Sequence, residues 1–195
     1  MSIEVNDVSL TYINKKVDIT IPNGLVYIAG KNGTGKTLLL DTVAGLTKSK
    51  GKIAGNNDVI YINQSTYFSD KLKVKDLLEF TYFLDGNLRK KSDFILFLKK
   101  ILSDDQISEI AELLDKRWGI LSGGERKYIY AIIVLSISKE WYIMDEPFAY
   151  IDDEKKKILM EIIRLRLNEG KNVIITSHEY IEEMNELHPE KIEIN

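Results

Sequence analysis

The chain has 195 residues, of which 44% are hydrophobic and 29% charged, and it contains only 3 prolines. This composition predicts one globular domain, with room for an inserted lobe, and argues against a disordered or fibrous protein. The 27 basic and 30 acidic residues give a formal charge of -3, so the chain lacks the overall basic field that attracts nucleic acid. Cysteine is absent and only two histidines occur, which excludes disulfides, thiolate metal sites and histidine clusters.

Short strands and a strand–loop–helix unit are predicted in the first part of the chain. Residues Ile3 to Tyr12 and Lys16 to Ile21 alternate in polarity and are rich in Val, Ile and Thr, which favours short antiparallel strands. The apolar run Leu25 to Ala29 then leads through a glycine-rich loop into Lys36 to Gly45, a segment of helical composition that ends at a glycine.

The glycine-rich loop has the pattern of a phosphate-binding loop. It satisfies G-x-x-x-x-G-K-[ST] between a strand and a helix, the context that this motif requires. In such a loop backbone N–H groups surround a phosphate, Lys36 supplies a charge for the β- and γ-phosphates, and Thr37 supplies a hydroxyl for Mg²⁺. A glycine-rich turn beside a chance lysine is the alternative, and the motif alone does not choose among kinases, GTPases, motor ATPases and transport ATPases. The predicted nucleotide contacts are Gly30, Lys31, Asn32, Gly33, Thr34, Gly35, Lys36 and Thr37, and they extend to position 38, which is a leucine.

The later elements alternate between strands and helices. Val59 to Asn63 is a strand candidate, and the sequence is then helical from about Val74 to Leu114. Strands resume at Trp141 to Met144 and at Asn172 to Thr176, and an amphipathic helix from about Asp153 to Asn168 joins them. Buried parallel strands with crossover helices are therefore expected, and the helical block is interpreted as an insertion into one α/β domain.

Two adjacent carboxylates, Asp145 and Glu146, follow the strand that begins at Trp141. Neighbouring side chains on a strand point in opposite directions, so the two carboxylates should have different roles. We expect Asp145 to hold Mg²⁺, directly or through water, and Glu146 to polarise the water that attacks the γ-phosphate. The alternative is an ordinary Asp-Glu-Pro turn that closes a strand.

The segment Leu121-Ser-Gly-Gly-Glu125 opens a long helical run. Ser122 and Glu125 have the spacing of a capping box, in which each side chain binds an N–H group at the start of the helix. The box does not explain two glycines in the first turn, since glycine weakens a helix and permits close backbone approach. Exposed N–H groups and a serine hydroxyl at a helix start form a second phosphate-binding surface.

In motif order the chain resembles the nucleotide-binding subunits of ABC transporters, whose signature reads LSGG followed by Gln or Glu. The resemblance covers essentially the whole chain and implies a P-loop NTPase (RecA-like) α/β fold. It implies a mostly parallel sheet with a small N-terminal antiparallel β subdomain and an inserted α-helical subdomain. Residues 1–64 and 139–195 would form the α/β core lobe, and about 65–138 the helical lobe with the signature helix.

The resemblance also implies partners, cofactors and a location. Two subunits would enclose two ATP molecules with Mg²⁺, with Ser122 of one subunit capping the γ-phosphate held by Lys36 of the other. The second subunit would be another copy of this chain or a paralogous ATPase. Both would serve a membrane-spanning transporter subunit from the cytoplasmic side, as peripheral proteins on the inner face of the membrane, and nucleic acid would not be a partner.

Further site residues follow from the same resemblance. The implied catalytic residues are Glu146, His178, Lys36 and Gln64, where Gln64 matches the family's glutamine loop and His178 its switch histidine. Asp152 matches a loop that crosses between subunits, and it is also placed to cap the following helix. Tyr12 is the candidate for stacking on adenine, with packing inside the fold as the alternative.

The chain departs from the family pattern at two positions. Tyr128 and Ile133 stand where the family often has basic residues, so regulation or packing can differ here.

A soluble ATPase of this type, acting in an assembly or clamp role such as iron–sulfur cluster assembly, is the alternative function. A nucleotide-binding regulator without turnover is a third possibility, and Glu146 argues against it.

Overall fold

The computed structural model describes residues 1–10, 15–64, 67–86, 90–177 and 182–194. These residues belong to two compact units. The first unit comprises residues 1–64, 139–147 and 166–195, and the second comprises residues 65–138 and 148–165. The first unit contains the described strands, and the second contains most of the helices.

The strands and helices have the following bounds. The strands are β1 (Ile3–Leu10), β2 (Lys15–Ile21), β3 (Leu25–Ala29), β4 (Lys50–Ala54), β5 (Val59–Ile62), β6 (Trp141–Asp145), β7 (Asn172–Thr176) and β8 (Glu190–Glu193). The α-helices are α1 (Lys36–Val43), α2 (Val74–Leu84), α3 (Lys91–Leu98), α4 (Asp104–Asp115), α5 (Gly123–Ser136) and α6 (Asp153–Asn168). Short 3₁₀ turns lie at Trp118–Ile120 and Glu182–Leu187.

The small sheet of the first unit is antiparallel, with the strand order β2-β1-β4. The apolar residues of β1 are buried and its polar residues face outward, apart from a bulge between Val5 and Val8 that shifts the alternation. Asp7 lies in this bulge with a φ of 49°, a left-handed conformation that bulges commonly contain. The predicted antiparallel subdomain is confirmed.

The large sheet of the first unit is parallel, in the order β5-β6-β7-β3-β8. Every residue of β3, β6 and β7 is buried, because the sheet is covered on both faces, as expected for strands joined by crossover helices. The carboxyl ends of these strands lie at one edge of the sheet, where α/β proteins bind ligands. The predicted fold class is confirmed by this topology.

β4 has no counterpart among the predicted strands. Its sequence Lys-Gly-Lys-Ile-Ala contains two exposed lysines and a glycine, residue types that rarely form strands. The strand exists because it pairs with β1, and at Gly51 a side chain would collide with the carbonyl group of Asp7. Pairing with β1 therefore requires glycine at position 51, although glycine on its own disfavours a strand.

The second unit is a cluster of amphipathic helices in which α2 packs against α3, α4 and α5. Tyr82 of α2 and Ser136 of α5 are both buried, and their hydroxyl groups form a hydrogen bond of 2.9 Å. The two departures from the family pattern, Tyr128 and Ile133, are buried on α5 and contribute to the core. Among the described residues, no helix combines the length and hydropathy needed to span a bilayer.

Candidate nucleotide-binding site

The predicted phosphate loop joins β3 to α1 in the first unit. Gly33 and Gly35 have φ angles of 80° and 96°, so the loop turns through left-handed conformations that glycine adopts without strain. Left-handed residues that alternate with right-handed ones direct successive backbone N–H groups into one concavity, and such a concavity favours an anion. Leu38 packs against the hydrophobic core, so position 38 presents no polar side chain to a ligand.

Lys36 is folded back over its own loop. Its side chain is largely buried, and Nζ donates to the carbonyl oxygens of Gly30 at 2.7 Å and of Lys31 at 3.1 Å. The ammonium group thus lies inside the turn whose N–H groups would surround a phosphate.

Asp145 ends β6 as a buried carboxylate held on both oxygens. Oδ2 accepts a hydrogen bond of 2.7 Å from the Thr37 hydroxyl, and Oδ1 accepts one from the Thr176 hydroxyl. The predicted Mg²⁺ residues Asp145 and Thr37 are therefore adjacent. A carboxylate and a hydroxyl are hard oxygen ligands, and Mg²⁺ commonly uses one or two carboxylates with substrate phosphates, so these residues fit that ion.

Glu146 and Gln64 also meet at this edge of the sheet. Gln64 Nε2 donates to Glu146 Oε2 at 3.0 Å. Glu146 has a φ of 52°, a left-handed conformation that turns its side chain away from the strand direction. Its backbone N–H donates to the carbonyl oxygen and to the hydroxyl oxygen of Thr176, each at 3.1 Å.

Two site features of the first unit were missed by sequence reasoning. Thr176 belongs to no motif that the sequence analysis could recognise. Its one signal in the sequence is that a residue with a hydroxyl group ends an otherwise apolar run. Tyr61 of β5 is the second. Burial raises the pKa of Tyr61, and the negative charges of Asp145 and Asp41 raise it further, so the Tyr61 hydroxyl stays protonated beside these carboxylates.

The second unit contains the serine-capped start of α5. Ser122 Oγ accepts from the backbone N–H of Glu125 at 3.1 Å, and Glu125 Oε2 accepts from the N–H of Ser122 at 2.8 Å. The predicted capping box is confirmed. Since the Ser122 N–H binds its carboxylate, the pKa of Glu125 lies below its ordinary value. Ser122 and Gly123 are exposed, so this helix start presents an open surface.

A tight turn at Phe148–Ile151 packs against that helix start within the second unit. A Cβ at Gly124 would lie 2.3 Å from the carbonyl oxygen of Tyr150, so only glycine permits this approach. Phe148 and Ile151 anchor the turn in the core, whereas Tyr150 has a φ of 66° and is 92% exposed. Asp152 then caps α6, accepting from the N–H of Lys155 at 3.0 Å, as predicted.

The family model described as ABC transporter matches residues 14–149. The chain belongs to the ABC transporter family. Within this family the domain binds and hydrolyses ATP, so the phosphate loop, the acidic strand end and the serine-capped helix described above are parts of an ABC ATP-binding domain.

Relatives of this ABC domain differ in what their names say they do. The chain is 27% identical to the energy-coupling factor transporter ATP-binding protein EcfA1 of Thermotoga maritima, over 94% of this chain and 76% of that protein. It is 29% identical to the translation initiation factor RLI1 of Saccharomyces cerevisiae, over 80% of this chain and 25% of that protein. A solved structure from Pyrococcus furiosus, described as a candidate ABC transporter ATP-binding protein, shares the fold. Its TM-score is 0.77 at 24% identity, over 100% of this chain and 98% of that one.

Two predicted contacts of the ABC domain, Tyr12 and His178, lie outside the described residues. Their roles in adenine stacking and γ-phosphate binding stay predictions.

Proposed function

We propose that this chain binds Mg-ATP at the Lys36 loop and hydrolyses it as a head-to-tail pair of ABC domains that powers a membrane-spanning partner. One observation carries the catalytic part of the proposal. Asp145 is bonded to Thr37 of the phosphate loop, while the adjacent Glu146 is bonded to Gln64. Two neighbouring carboxylates thus have separate partners, as separate metal and water roles require.

Lys36 would bind the β- and γ-phosphate oxygens, and Thr37 and Asp145 would hold Mg²⁺. When bound, Mg²⁺ neutralises the negative charge that develops on the phosphates. Glu146 would accept a proton from the attacking water as its oxygen bonds to the γ-phosphorus. The bond between the γ-phosphorus and the bridging oxygen then breaks, releasing ADP and inorganic phosphate. Base assistance of this kind accelerates such a step by about 10² to 10⁴.

Gln64 would position that water and respond to the nucleotide. Its amide donates to the Glu146 carboxylate in this structure, so it already lies within reach of the proposed base. An amide can donate to a carboxylate and accept from a water with the same group. Gln64 would therefore orient the water between the carboxylate and the γ-phosphate.

The start of α5 would complete the site of a second subunit. Ser122 and Gly123 are exposed, and the positive end of α5 lies at the same place. One chain therefore carries two unlike surfaces that suit a phosphate, the Lys36 loop and the α5 start. A head-to-tail pair uses both, because each subunit supplies its α5 start to the nucleotide on the Lys36 loop of the other.

The transport role is supported by the EcfA1 relative and by exposed apolar side chains in the second unit. Phe80, Phe83 and Leu84 of α2 and Leu96 of α3 are each more than half exposed. Phe80, Phe83 and Leu84 have the spacing of one helix face, and a contiguous exposed apolar surface commonly marks a contact with a partner protein. The RLI1 relative, which is named a translation initiation factor, favours the alternative, a soluble ABC ATPase that serves no transporter. Copurification with a membrane protein, rather than with soluble assembly factors, would decide for transport.

The variant Glu146→Gln tests catalysis and pairing together. We expect hydrolysis to fall by about 10² to 10⁴, because the amide cannot accept the proton, while ATP binding persists. The variant should then elute as a dimer on gel filtration with Mg-ATP and as a monomer without it. Glu161→Gln, an exposed carboxylate on α6, is the control and should behave as the original chain. Hydrolysis at the original rate in Glu146→Gln would refute the assignment.

A further inference from the structure

Thr176 is the last residue of β7 and is fully buried. The three residues before it, Val173, Ile174 and Ile175, are apolar and equally buried. A valine or isoleucine would suit this strand as well, and a buried hydroxyl is costly unless it is bonded. The hydroxyl of Thr176 therefore needs partners, and the register of the sheet places Asp145 directly beside it.

The direction of each Thr176 hydrogen bond is fixed by chemistry. The backbone N–H of Glu146 can only donate, so Thr176 Oγ1 accepts from it at 3.1 Å. The hydroxyl proton is then left for the other contact, and the Asp145 carboxylate Oδ1 accepts it. One hydroxyl thus connects the proposed metal-binding carboxylate to the backbone of the proposed catalytic base.

The two contacts constrain different parts of the site. Because Oδ1 of Asp145 is held by Thr176, Oδ2 is kept on the side of the Thr37 hydroxyl, 2.7 Å away. At Glu146 the backbone is left-handed, which is unfavourable for this residue type, and its N–H is held by two acceptors of Thr176, the carbonyl oxygen and the hydroxyl oxygen. That turn directs the Glu146 side chain towards Gln64 and away from Asp145.

We propose that Thr176 is a positioning residue that keeps the Asp145 carboxylate in the orientation that receives Mg²⁺ while it fixes the turn that separates Glu146 from it. This inference rests on the Mg-ATP binding that is part of the proposed function. In this role Thr176 acts through its hydrogen bonds to Asp145 and Glu146 rather than as a ligand of the nucleotide or the metal. Losing the Thr176 hydroxyl should mainly lower the affinity for Mg²⁺, because this hydroxyl is the donor that orients the Asp145 carboxylate. The effect on Glu146 should be smaller, because its N–H still donates to the Thr176 carbonyl oxygen.

The test compares Thr176→Val, which keeps the shape and removes the hydroxyl, with Thr176→Ser, which keeps the hydroxyl. Binding of a fluorescent ATP analogue is measured during a Mg²⁺ titration and again in EDTA. We expect Thr176→Val to raise the Mg²⁺ concentration at half-saturation by about 10- to 100-fold, the usual effect of losing a group that orients a metal ligand. Binding in EDTA should stay within about twofold, and Thr176→Ser should restore the Mg²⁺ dependence to within about threefold.

The matched control is Thr42→Val, since Thr42 is equally buried but bonds to the Leu38 carbonyl oxygen within α1. It should leave the Mg²⁺ dependence unchanged. The proposal is overturned if Thr176→Val keeps the original Mg²⁺ half-saturation, if binding in EDTA weakens as much as binding with Mg²⁺, or if the serine fails to restore it. If Thr176→Val does not fold, Thr176→Ala carries the same expectations. An original chain that binds the analogue with Mg²⁺ but does not hydrolyse ATP would sink the proposed function and leave this inference standing.

Discussion

The end of β6 and the start of α5 are both proposed to act on phosphates, yet they are built differently. At the end of β6, Asp145 and Glu146 are buried, and their carboxylates are held by other side chains of the chain. At the start of α5, Ser122 and Gly123 are exposed, and the hydrogen bonds of the capping box stay within one helical turn. The first region is therefore held in place by hydrogen bonds between side chains that are distant in sequence. The second presents an open surface, as expected of a region whose ligand is held by another subunit.

The strongest way to break this comparison is to remove the cation of the first region with Lys36→Ala. Charge-assisted hydrogen bonds contribute about 1.5 to 3 kcal/mol each, so losing contacts to two phosphates should weaken ATP binding at least about 100-fold. Equilibrium dialysis with labelled ATP measures the effect, and Lys52→Ala, on the exposed face of β4, is the control. Retained binding would mean that the exposed α5 start holds the nucleotide without the loop.

The paired glycines of α5 offer a sharper test of the second region. In Gly124→Ala the new methyl would meet the Tyr150 carbonyl oxygen at 2.3 Å, so we expect a loss of about 1 to 3 kcal/mol in unfolding free energy. Gly123 has open space around it, so Gly123→Ala should gain up to about 1 kcal/mol from helix propensity. Urea denaturation measures both changes. Equal effects of the two alanines would show that the turn at Tyr150 does not press on the helix.

Gly123→Ala also separates stability from function. Its methyl would occupy the open surface that is proposed to receive a phosphate, so ATP hydrolysis should fall although the protein becomes more stable. A variant that is both more stable and fully active would remove Gly123 from the proposed interface.

Two capping boxes that both begin with serine allow the cap and the phosphate role of Ser122 to be distinguished. Ser103 caps α4 with Gln106 in the same manner as Ser122 caps α5 with Glu125. Ser103→Ala and Ser122→Ala should each cost about 1 kcal/mol of stability. Only Ser122→Ala should also lower hydrolysis, by about tenfold, since it removes one hydrogen bond to a phosphate. Equal hydrolysis rates in the two variants would reduce Ser122 to a structural cap.

The smallest expected effect is at Tyr150. Asparagine tolerates the left-handed conformation better than tyrosine, so Tyr150→Asn should raise the unfolding free energy by about 0.5 to 1 kcal/mol. Tyr67, which is 96% exposed without a positive φ, provides the control Tyr67→Asn, which should change stability little. Thermal denaturation followed by circular dichroism compares them. A loss of stability in Tyr150→Asn would mean that the exposed ring makes contacts that its exposure does not suggest.

Features that depend on neighbouring residues could be predicted from the sequence. The strand, phosphate loop and helix from Leu25 to Val43 follow from an apolar run, a glycine pattern and a helical composition within a short stretch. The capping box at Ser122 and the cap at Asp152 are set by spacings of three residues, so they were also readable. The separation of roles between Asp145 and Glu146 was expected from strand geometry, and the structure gives them different partners.

Features that depend on distant residues could not be read in this way. Thr176 lies beside Asp145 only because β6 and β7 pair in one register, and no local pattern specifies that register. The contact between Gln64 and Glu146 likewise joins the ends of two different strands. β4 was missed because its lysines and glycine disfavour a strand, and pairing with β1 overrides that preference. The left-handed conformation of Tyr150 is imposed by the turn around it.

The phosphate loop also has a mechanical support that lies far away in sequence. A Cβ at Gly30 would be 2.5 Å from the carbonyl oxygen of Ile194, and the N–H of Ile194 donates to the Ala29 carbonyl oxygen at 2.9 Å. The first residue of the loop, Gly30, therefore packs against Ile194, the residue that follows the edge strand β8. A protease cut or a fused label that detached β8 would remove this contact and make the phosphate loop less rigid. Nucleotide affinity would then report on damage at a strand that is distant from the phosphate loop in sequence.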